Sequence, residues 1–198
     1  MKIVGITGGI GSGKTTVCQM WQELGAEVMY ADSEAKLLME TDPVLVEEIK
    51  KKFGKHAYTA QGKLNREFLS QEAFQNNRVE ELNQLVHPAV WRETDRRMAE
   101  ARRKGVKLFV KEAALLLKNG RPENIDLIVV VTAPEYVRIK RVAHRDNLTT
   151  EQVKSRITRQ MSQDEIVKFA DIVLENDSDE ETFRRQAHEL YHELIQNI

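Results

Sequence analysis

The sequence predicts an α/β protein in which helices cover both faces of a parallel sheet. Short apolar runs that suit buried strands alternate along the chain with segments whose apolar residues recur at helical spacing. A glycine-rich loop, residues 8–13, separates the first strand from the first helix. Between the second and third strands lie roughly seventy mostly helical residues, far more than one crossover needs. We therefore expect a sheet domain that carries a helical insertion.

The individual elements follow from apolar runs, capping residues and breakers. The predicted strands are residues 2–6, 27–31, 106–110, 127–131 and 171–174. The predicted helices are residues 14–24, 32–39, 43–53, 66–74, 79–86 and 88–104, then one from 134, one over 150–161 and one from about 179. Asp32 and Ser33 can cap the second helix, and Asp42 with Pro43 opens the third. Pro88 is predicted to break one helix and start another.

The glycine-rich loop fits the phosphate-loop pattern G-x-x-x-x-G-K-[ST] over residues 8–15. Its glycines let successive backbone N–H groups point at phosphate oxygens, and the next helix adds its positive N-terminal end. Lys14 is predicted to reach the β- and γ-phosphates of ATP, and the Thr15 hydroxyl to bind Mg²⁺. The position between an apolar strand and an amphipathic helix predicts a sheet of the P-loop NTPase type. The predicted nucleotide-binding residues are Gly9, Ile10, Gly11, Ser12, Gly13, Lys14, Thr15 and Thr16.

Composition and charge narrow the possible functions. Lys and Arg number 30 against 31 Asp and Glu, so the net charge of −1 favours neither nucleic acid nor an anionic membrane as a partner. The single cysteine, Cys18, suits a reducing compartment, and we expect a cytoplasmic protein without a signal peptide. His56, His144, His188 and His192 lack metal-site spacing with cysteine or carboxylates and are predicted to be surface residues.

A phosphate loop alone leaves several classes of nucleotide-binding protein open. The guanine-specific pattern N-K-x-D and the switch pattern D-x-x-G are both missing from the sequence, which excludes a switch GTPase. A compact kinase remains the leading interpretation. Two alternatives are a kinase for another nucleoside, nucleotide or sugar, and a regulatory nucleotide-binding protein without turnover.

Several short segments of the sequence form one ordered pattern: residues 4–16, Ala31-Asp32, residues 62–66, Leu82-Asn83 with His87-Pro88, and Arg141, Arg145-Asp146, Arg156, Gln160, Ala170-Asp171 and Asn176. In this order and spacing, the segments resemble the dephospho-CoA kinase family. The resemblance implies that ATP phosphorylates the ribose 3′-hydroxyl of dephospho-CoA. It also implies a core of about residues 1–40, 105–137 and 166–198, a helical substrate region of about 41–104, and a lid of about 138–165.

The resemblance and the residue chemistry together suggest roles for individual side chains. Asp32 follows the second strand and is expected to accept or orient the proton of the attacking hydroxyl, unless it only caps a helix. Arg145 and Arg141 are expected on the lid, with Arg145 at the transferring phosphoryl group. The predicted substrate contacts are four residues, namely Thr7, Asp32, Arg66 and His87.

Five positions stand apart from these assignments. Arg138 and Lys140 are predicted to lie on a solvated basic helix face. Lys118 occupies a position where the family usually has an acidic residue, whereas Glu112 is retained at a strand end. Tyr30 replaces the first Asp of the family's D-A-D turn.

Overall fold

The sheet has five parallel strands in the part of the chain that the computed structural model describes, residues 1–118 and 120–196 without the side chains of residues 74 and 75. The strands are β1 (Lys2–Thr7), β2 (Glu27–Tyr30), β3 (Leu108–Glu112), β4 (Leu127–Thr132) and β5 (Ile172–Glu175). Their order across the sheet is β2-β3-β1-β4-β5, with β1 in the centre. The predicted parallel α/β sheet is therefore confirmed.

Strand register decides which side chains share the edge where ligands bind. Ile6 of β1 is the partner of Glu112 on β3, and Thr7 is the partner of Val130 on β4. Because all pairs are parallel, the carboxyl ends of the strands meet at one edge of the sheet. The glycine-rich loop leaves β1 at that edge, beside the end of β3.

The helices begin and end mostly where local chemistry predicts. They are α1 (Lys14–Glu23), α2 (Ala31–Thr41), α3 (Pro43–Phe53), α4 (Arg66–Ser70), α5 (Val79–Arg103), α6 (Glu135–Asp146), α7 (Thr150–Ile157), α8 (Gln163–Val167) and α9 (Glu180–Gln196). A 3-10 turn covers Lys55–Ala57, and a π-helical turn covers Gln71–Gln75. Asp42 caps α3 by accepting from Val44 N–H, and Thr149 with Gln152 forms a capping box on α7.

The principal core lies between the sheet and the pair α1 and α9. Trp21 is fully buried there, and its Nε1 donates to the carbonyl of Ala187 at 2.7 Å. The Tyr191 hydroxyl donates to the carbonyl of Leu24 at 2.6 Å. Burying these large rings while satisfying their polar tips fixes α9 against α1, the helix that follows the phosphate loop.

The chain divides into two compact units. One unit, Met1–Tyr30 with Ala101–Ile198, contains the sheet, and the other, Ala31–Glu100, is helical. Within the helical unit, Glu34 is buried and pairs with Arg97 at 2.8 Å. The division into core, helical substrate region and lid stays a prediction.

Local signals misplaced several helix boundaries, among them the end of α7, which lies at Ile157 and not at residue 161. The prediction that Asp32 caps α2 is wrong, because α2 begins at Ala31 and Asp32 lies in its first turn. The predicted break at Pro88 is also wrong, because Pro88 lies inside the continuous helix α5. Pro88 removes one helical donor, but the flanking Val86, Ala89 and Val90 are buried, and this packing outweighs the local cost.

The third strand also begins later than predicted. Val106 N–H donates to the carbonyl of Ala101 in the turn after α5, so β3 starts only at Leu108. Among the described residues, none of the helices combines the length and apolar character that a bilayer crossing requires.

Candidate active site

The phosphate loop is too tightly folded to accept side chains at its glycine positions. Gly8, Gly11 and Gly13 all have positive φ angles, of 145°, 79° and 107°. A Cβ at Gly8 would overlap the carbonyl oxygen of Val131, and one at Gly13 would overlap the Asn176 amide. Glycine is therefore required both by the backbone conformation and by the contacts around the loop.

Lys14 is buried at the first position of α1 with its ammonium turned back over the loop. Its Nζ donates to the carbonyl of Gly8 at 2.9 Å and to that of Gly9 at 3.3 Å. The same Nζ lies 4.0 Å from Oε1 of Glu112. The cation is thus held at the mouth of the loop, where phosphate oxygens would meet it.

Glu112 is the clearest functional candidate for which the sequence predicted no role. It ends β3, beside the strand that precedes the phosphate loop, and it is buried. The pKa of the Cys18 thiol is raised mainly by burial of the thiol, and secondly by the negative charge of Glu112. An acidic residue at the end of an apolar strand beside a phosphate loop matches the place of the Mg²⁺-binding acid in P-loop enzymes. The signal for this role in the sequence was an acidic residue at the end of the apolar run that forms β3.

The site offers donors that suit a polyphosphate with its metal ion. The N-cap of α1 is Gly13, which has no side chain to cap the first N–H groups of the helix. The Ser12 hydroxyl is buried and has no hydrogen-bond partner among the described residues. Thr15 is exposed in the first turn of α1 and presents a hydroxyl, while Glu112 supplies a carboxylate. Helix N–H groups and a cation fit phosphate, and these oxygen ligands fit Mg²⁺.

Residues from the C-terminal third dock on the phosphate loop and hold its shape. The Asn176 amide donates to the carbonyl of Ser12 at 2.8 Å, and its oxygen accepts from Nη2 of Arg141 at 3.1 Å. Gln160 accepts from the Ile10 N–H at 2.8 Å. The structure therefore brings Arg141 to the loop, and it gives Asn176 and Gln160 a positioning role that the sequence did not reveal.

Arg138 departs from its predicted place on a solvated face. It is only 7% exposed, and its Nη1 occupies the space that a Cβ on Gly9 would need. Its backbone oxygen would lie 2.8 Å from a Cβ on Gly11. The prediction for Arg138 is therefore wrong, because α6 packs directly on the loop, whereas Lys140 is exposed as predicted.

Arg145 lies at the C-terminal end of α6 and is held by its neighbour in the chain. Its Nε donates to Oδ1 of Asp146 at 2.7 Å, and Asp146 also accepts from Nη1 of Arg156 at 2.9 Å. Arg145, as the larger influence, and Arg156 lower the pKa of Asp146, so this carboxylate stays ionised at neutral pH. In this structure Arg145 is therefore paired with Asp146.

Three predicted site residues lie in the helical unit. Asp32 is exposed in the first turn of α2. Arg66 is exposed and lies 3.6 Å from Glu40, and the His87 ring is centred 6.2 Å from that of Trp91. Their predicted roles in catalysis and substrate binding remain predictions.

Thr7, at the end of β1, lines a cavity of about 180 Å³ in the sheet unit. Leu115 and Leu117 give this cavity an apolar wall, and Lys118 and Arg159 give it two cations. Lys118 therefore lines a cavity beside the end of β1, although the family resemblance leads one to expect an acid there.

Comparison with known proteins agrees with this geometry. The family model described as dephospho-CoA kinase matches residues 2–182. The dephospho-CoA kinase of Salinibacter ruber is 45% identical over 192 residues, which cover 96% of each chain. A solved structure from Thermus thermophilus has a TM-score of 0.81 and 33% identity, covering 98% of this chain and 97% of its own. The dephospho-CoA kinase of Campylobacter jejuni, at 23% identity and 98% coverage of both chains, shares the fold with a TM-score of 0.66. The chain therefore belongs to the dephospho-CoA kinase family.

Proposed function

We propose that this protein transfers the γ-phosphoryl group of ATP to the ribose 3′-hydroxyl of dephospho-CoA, giving coenzyme A and ADP. The observation that carries the proposal is the phosphate loop, which holds Lys14 beside Glu112 at the carboxyl edge of the sheet. Because the chain belongs to the dephospho-CoA kinase family, this reaction is favoured over those of other P-loop kinases.

The loop residues act on the phosphates of ATP. Backbone N–H groups at the start of α1 donate to the phosphate oxygens, and Lys14 leaves the loop carbonyls to follow the charge that develops on them. Thr15 and Glu112 are the oxygen ligands that would hold Mg²⁺, directly or through water. When bound, Mg²⁺ neutralises charge on the β- and γ-phosphates.

Two further side chains act on the reacting groups. Asp32 accepts the proton of the 3′-hydroxyl as that oxygen attacks phosphorus. Arg145 exchanges its contact with Asp146 for the oxygens of the transferring phosphoryl group, which its planar guanidinium can bind in pairs. Arg141, already beside Asn176 at the loop, contacts the nucleotide.

The acceptor contacts are Thr7, Arg66 and His87, as the family resemblance implies. The cavity at Thr7 supports the assignment of Thr7 alone, because Lys118 and Arg159 in its wall suit an acceptor that carries a diphosphate. The expected location remains the cytoplasm.

A coupled assay of ADP release tests the proposal. With ATP and Mg²⁺, we expect turnover with dephospho-CoA and only background rates with adenosine, AMP, shikimate or simple sugars. Lys14→Ala serves as the blank for contaminating kinases. Faster turnover with one of the other acceptors would favour a different P-loop kinase. ADP release no faster than in the blank would favour a nucleotide-binding protein without turnover.

A further inference from the structure

Two histidines on α9 face each other one helical turn apart. His188 and His192 are related by four positions, and their Nε2 atoms are 3.3 Å apart. The ring centres are separated by 4.5 Å. His188 is exposed and His192 is partly exposed, so water and ions reach both rings. Spacing relative to cysteine and carboxylates alone predicts only ordinary surface residues at these positions.

The separation of the two nitrogens is the one that a tetrahedral metal ion requires. Imidazole nitrogens bind Zn²⁺ at 2.0–2.1 Å, and two such ligands of one tetrahedral ion are about 3.3–3.4 Å apart. The observed 3.3 Å lies at that value, and chelation requires the two rings to turn until both Nε2 lone pairs point at one ion. Without metal, the same distance suits one N–H donor facing one ring acceptor. A neutral pair can bind a cation once the donor ring changes tautomer, because its proton then lies on Nδ1 and both Nε2 lone pairs are available to the metal.

The helix that carries the pair is held firmly on the opposite side. Ala187 accepts from the Trp21 indole at 2.7 Å, and the Tyr191 hydroxyl donates to Leu24 at 2.6 Å. Ala187 and Tyr191 each directly precede one of the histidines. The backbone spacing of the two rings is thus fixed by contacts with α1, which lowers the entropic cost of forming a chelate.

The charged side chains near the pair are engaged with one another. Arg184, one turn before His188, donates to Glu180 at 2.9 Å, and Arg185 lies 4.0 Å from Glu189. These ion pairs limit the repulsion that the arginines exert on a bound cation.

We propose that His188 and His192 form a two-imidazole site for a divalent transition cation of the Zn²⁺ and Ni²⁺ class. Imidazole suits these borderline ions, whereas Mg²⁺ prefers oxygen ligands, so the site is chemically separate from that of the phosphate loop. No group of three or more metal-ligating side chains occurs among the described residues. Water therefore completes the coordination, and the affinity is that of a two-ligand chelate.

A bound ion would also stabilise the fold. It joins two successive turns of α9, and the pair is pre-arranged only in the folded chain. Binding to the folded state alone raises the free energy of unfolding as the metal concentration exceeds the dissociation constant. The expected consequence is a metal-dependent rise in melting temperature that does not depend on nucleotide.

Titration of the full-length chain with Ni²⁺ and, separately, Zn²⁺ by calorimetry tests the site. We expect one principal site in the wild type and at least tenfold weaker binding in His188→Ala and in His192→Ala. His144→Ala and His56→Ala serve as matched controls and should bind as the wild type does. The metal-dependent rise in melting temperature should disappear in the two α9 variants.

Two outcomes would overturn the proposal. One is equal metal affinity in the wild type and both α9 variants, and the other is loss of binding in His144→Ala or His56→Ala instead. Kinase turnover with Mg²⁺ should be unchanged in His188→Ala, which also shows that the variant is folded. His188→Gln and His192→Gln keep the test valid if an alanine variant folds poorly. Because the readout is metal binding, the result is independent of the acceptor that the kinase uses.

Discussion

Lys14 has its charge compensated before any nucleotide binds. Its ammonium donates to the carbonyls of Gly8 and Gly9 and lies 4.0 Å from Glu112. Phosphate oxygens carry full negative charge and are stronger partners than neutral carbonyls. When a nucleotide binds, the Lys14 ammonium therefore exchanges carbonyl partners for phosphate oxygens. No cation has to move from water into the loop.

Replacing Lys14 tests this site directly. Lys14→Ala should lower kcat at least about 10²-fold, because the cation that follows charge into the transition state is lost. Circular dichroism should show the native helix content, since the loop is also held by Asn176 and Gln160. Lys154→Ala, which replaces an exposed lysine on α7, is the control and should leave kcat unchanged. A folded Lys14→Ala protein with near-normal kcat would contradict the assignment of this loop.

Asp32 can be tested against a second aspartate whose role is structural. Asp32→Asn should lower kcat by about 10²-fold or more, as expected for a positioned general base, with little change in ATP affinity. Asp42→Ala is the matched control, because Asp42 caps α3 by accepting from Val44 and Leu45 N–H. It should lower the free energy of unfolding by ~1 kcal/mol and leave kcat intact. If Asp32→Asn keeps activity within a few-fold of wild type, the base lies elsewhere.

At the scale of elements, helix starts were predictable wherever their cause is local. The cap of α3 at Asp42 and the capping box of Thr149 with Gln152 depend on a few consecutive residues. Pro88 shows the limit of such signals. Its local preference against a helix interior is clear, but the buried residues around it in α5 favour continuity, and that packing is invisible in a short window.

Helix α6 presents its arginines in three different environments. Arg138 is buried on the phosphate loop, Arg141 donates to Asn176, and Arg145 is paired with Asp146. The helix thus runs from the loop towards solvent. Its outermost arginine is the one best able to move, because the carboxylate that holds it is partly exposed and adjacent in the chain, and such an ion pair is weak.

The role of Arg145 can be separated from simple nucleotide binding by steady-state kinetics. In Arg145→Ala, kcat should fall by a larger factor than the KM for ATP rises, because the contact forms mainly in the transition state. Arg145→Lys should recover only part of the activity, since lysine keeps the charge without the planar pair of donors. Lys140→Ala, exposed on the same helix, should behave as the wild type. Full activity in Arg145→Ala would indicate that Arg141, and not Arg145, contacts the transferring phosphoryl group.

At the scale of the whole molecule, the site is assembled from residues far apart in the sequence. The phosphate loop was predictable because its chemistry is contained in eight consecutive positions. Glu112, Gln160 and Asn176 reach the loop only through the parallel sheet and the helices that follow it. Their sequence separation from the loop hides these contacts, so the sequence could supply their positions but not their roles.

The sheet is also tied together at the edge opposite the phosphate loop, by a group of charged side chains. Asp171 precedes β5 and accepts from Ile128 N–H of β4 at 2.7 Å. Arg121 lies 2.8 Å from Asp171 and donates to the carbonyl of Asp126 at 2.9 Å. The Asp126 carboxylate accepts in turn from Ile3 N–H of β1 at 2.7 Å. Two carboxylates, those of Asp126 and Asp171, therefore join three neighbouring strands at this edge.

This linkage predicts a specific dependence of stability on acid. Arg121 first, and then the Ile128 N–H, lower the pKa of Asp171 below its usual value of 3.8. The unfolded chain therefore binds this proton at higher pH than the folded one, so the stability that Asp171 contributes is complete above pH 3.8 and is lost as pH falls towards the folded pKa.

Asp171→Asn should lower the free energy of unfolding by ~1 kcal/mol near pH 7, because the ion pair is partly exposed. It should also reduce the difference in stability between pH 7 and pH 3, measured by urea unfolding. If the stability of Asp171→Asn depended on acid as that of the wild type does, Asp171 would not contribute to the acid response. Other carboxylates with lowered pKa values, such as those of Asp146 and Asp179, would then account for it.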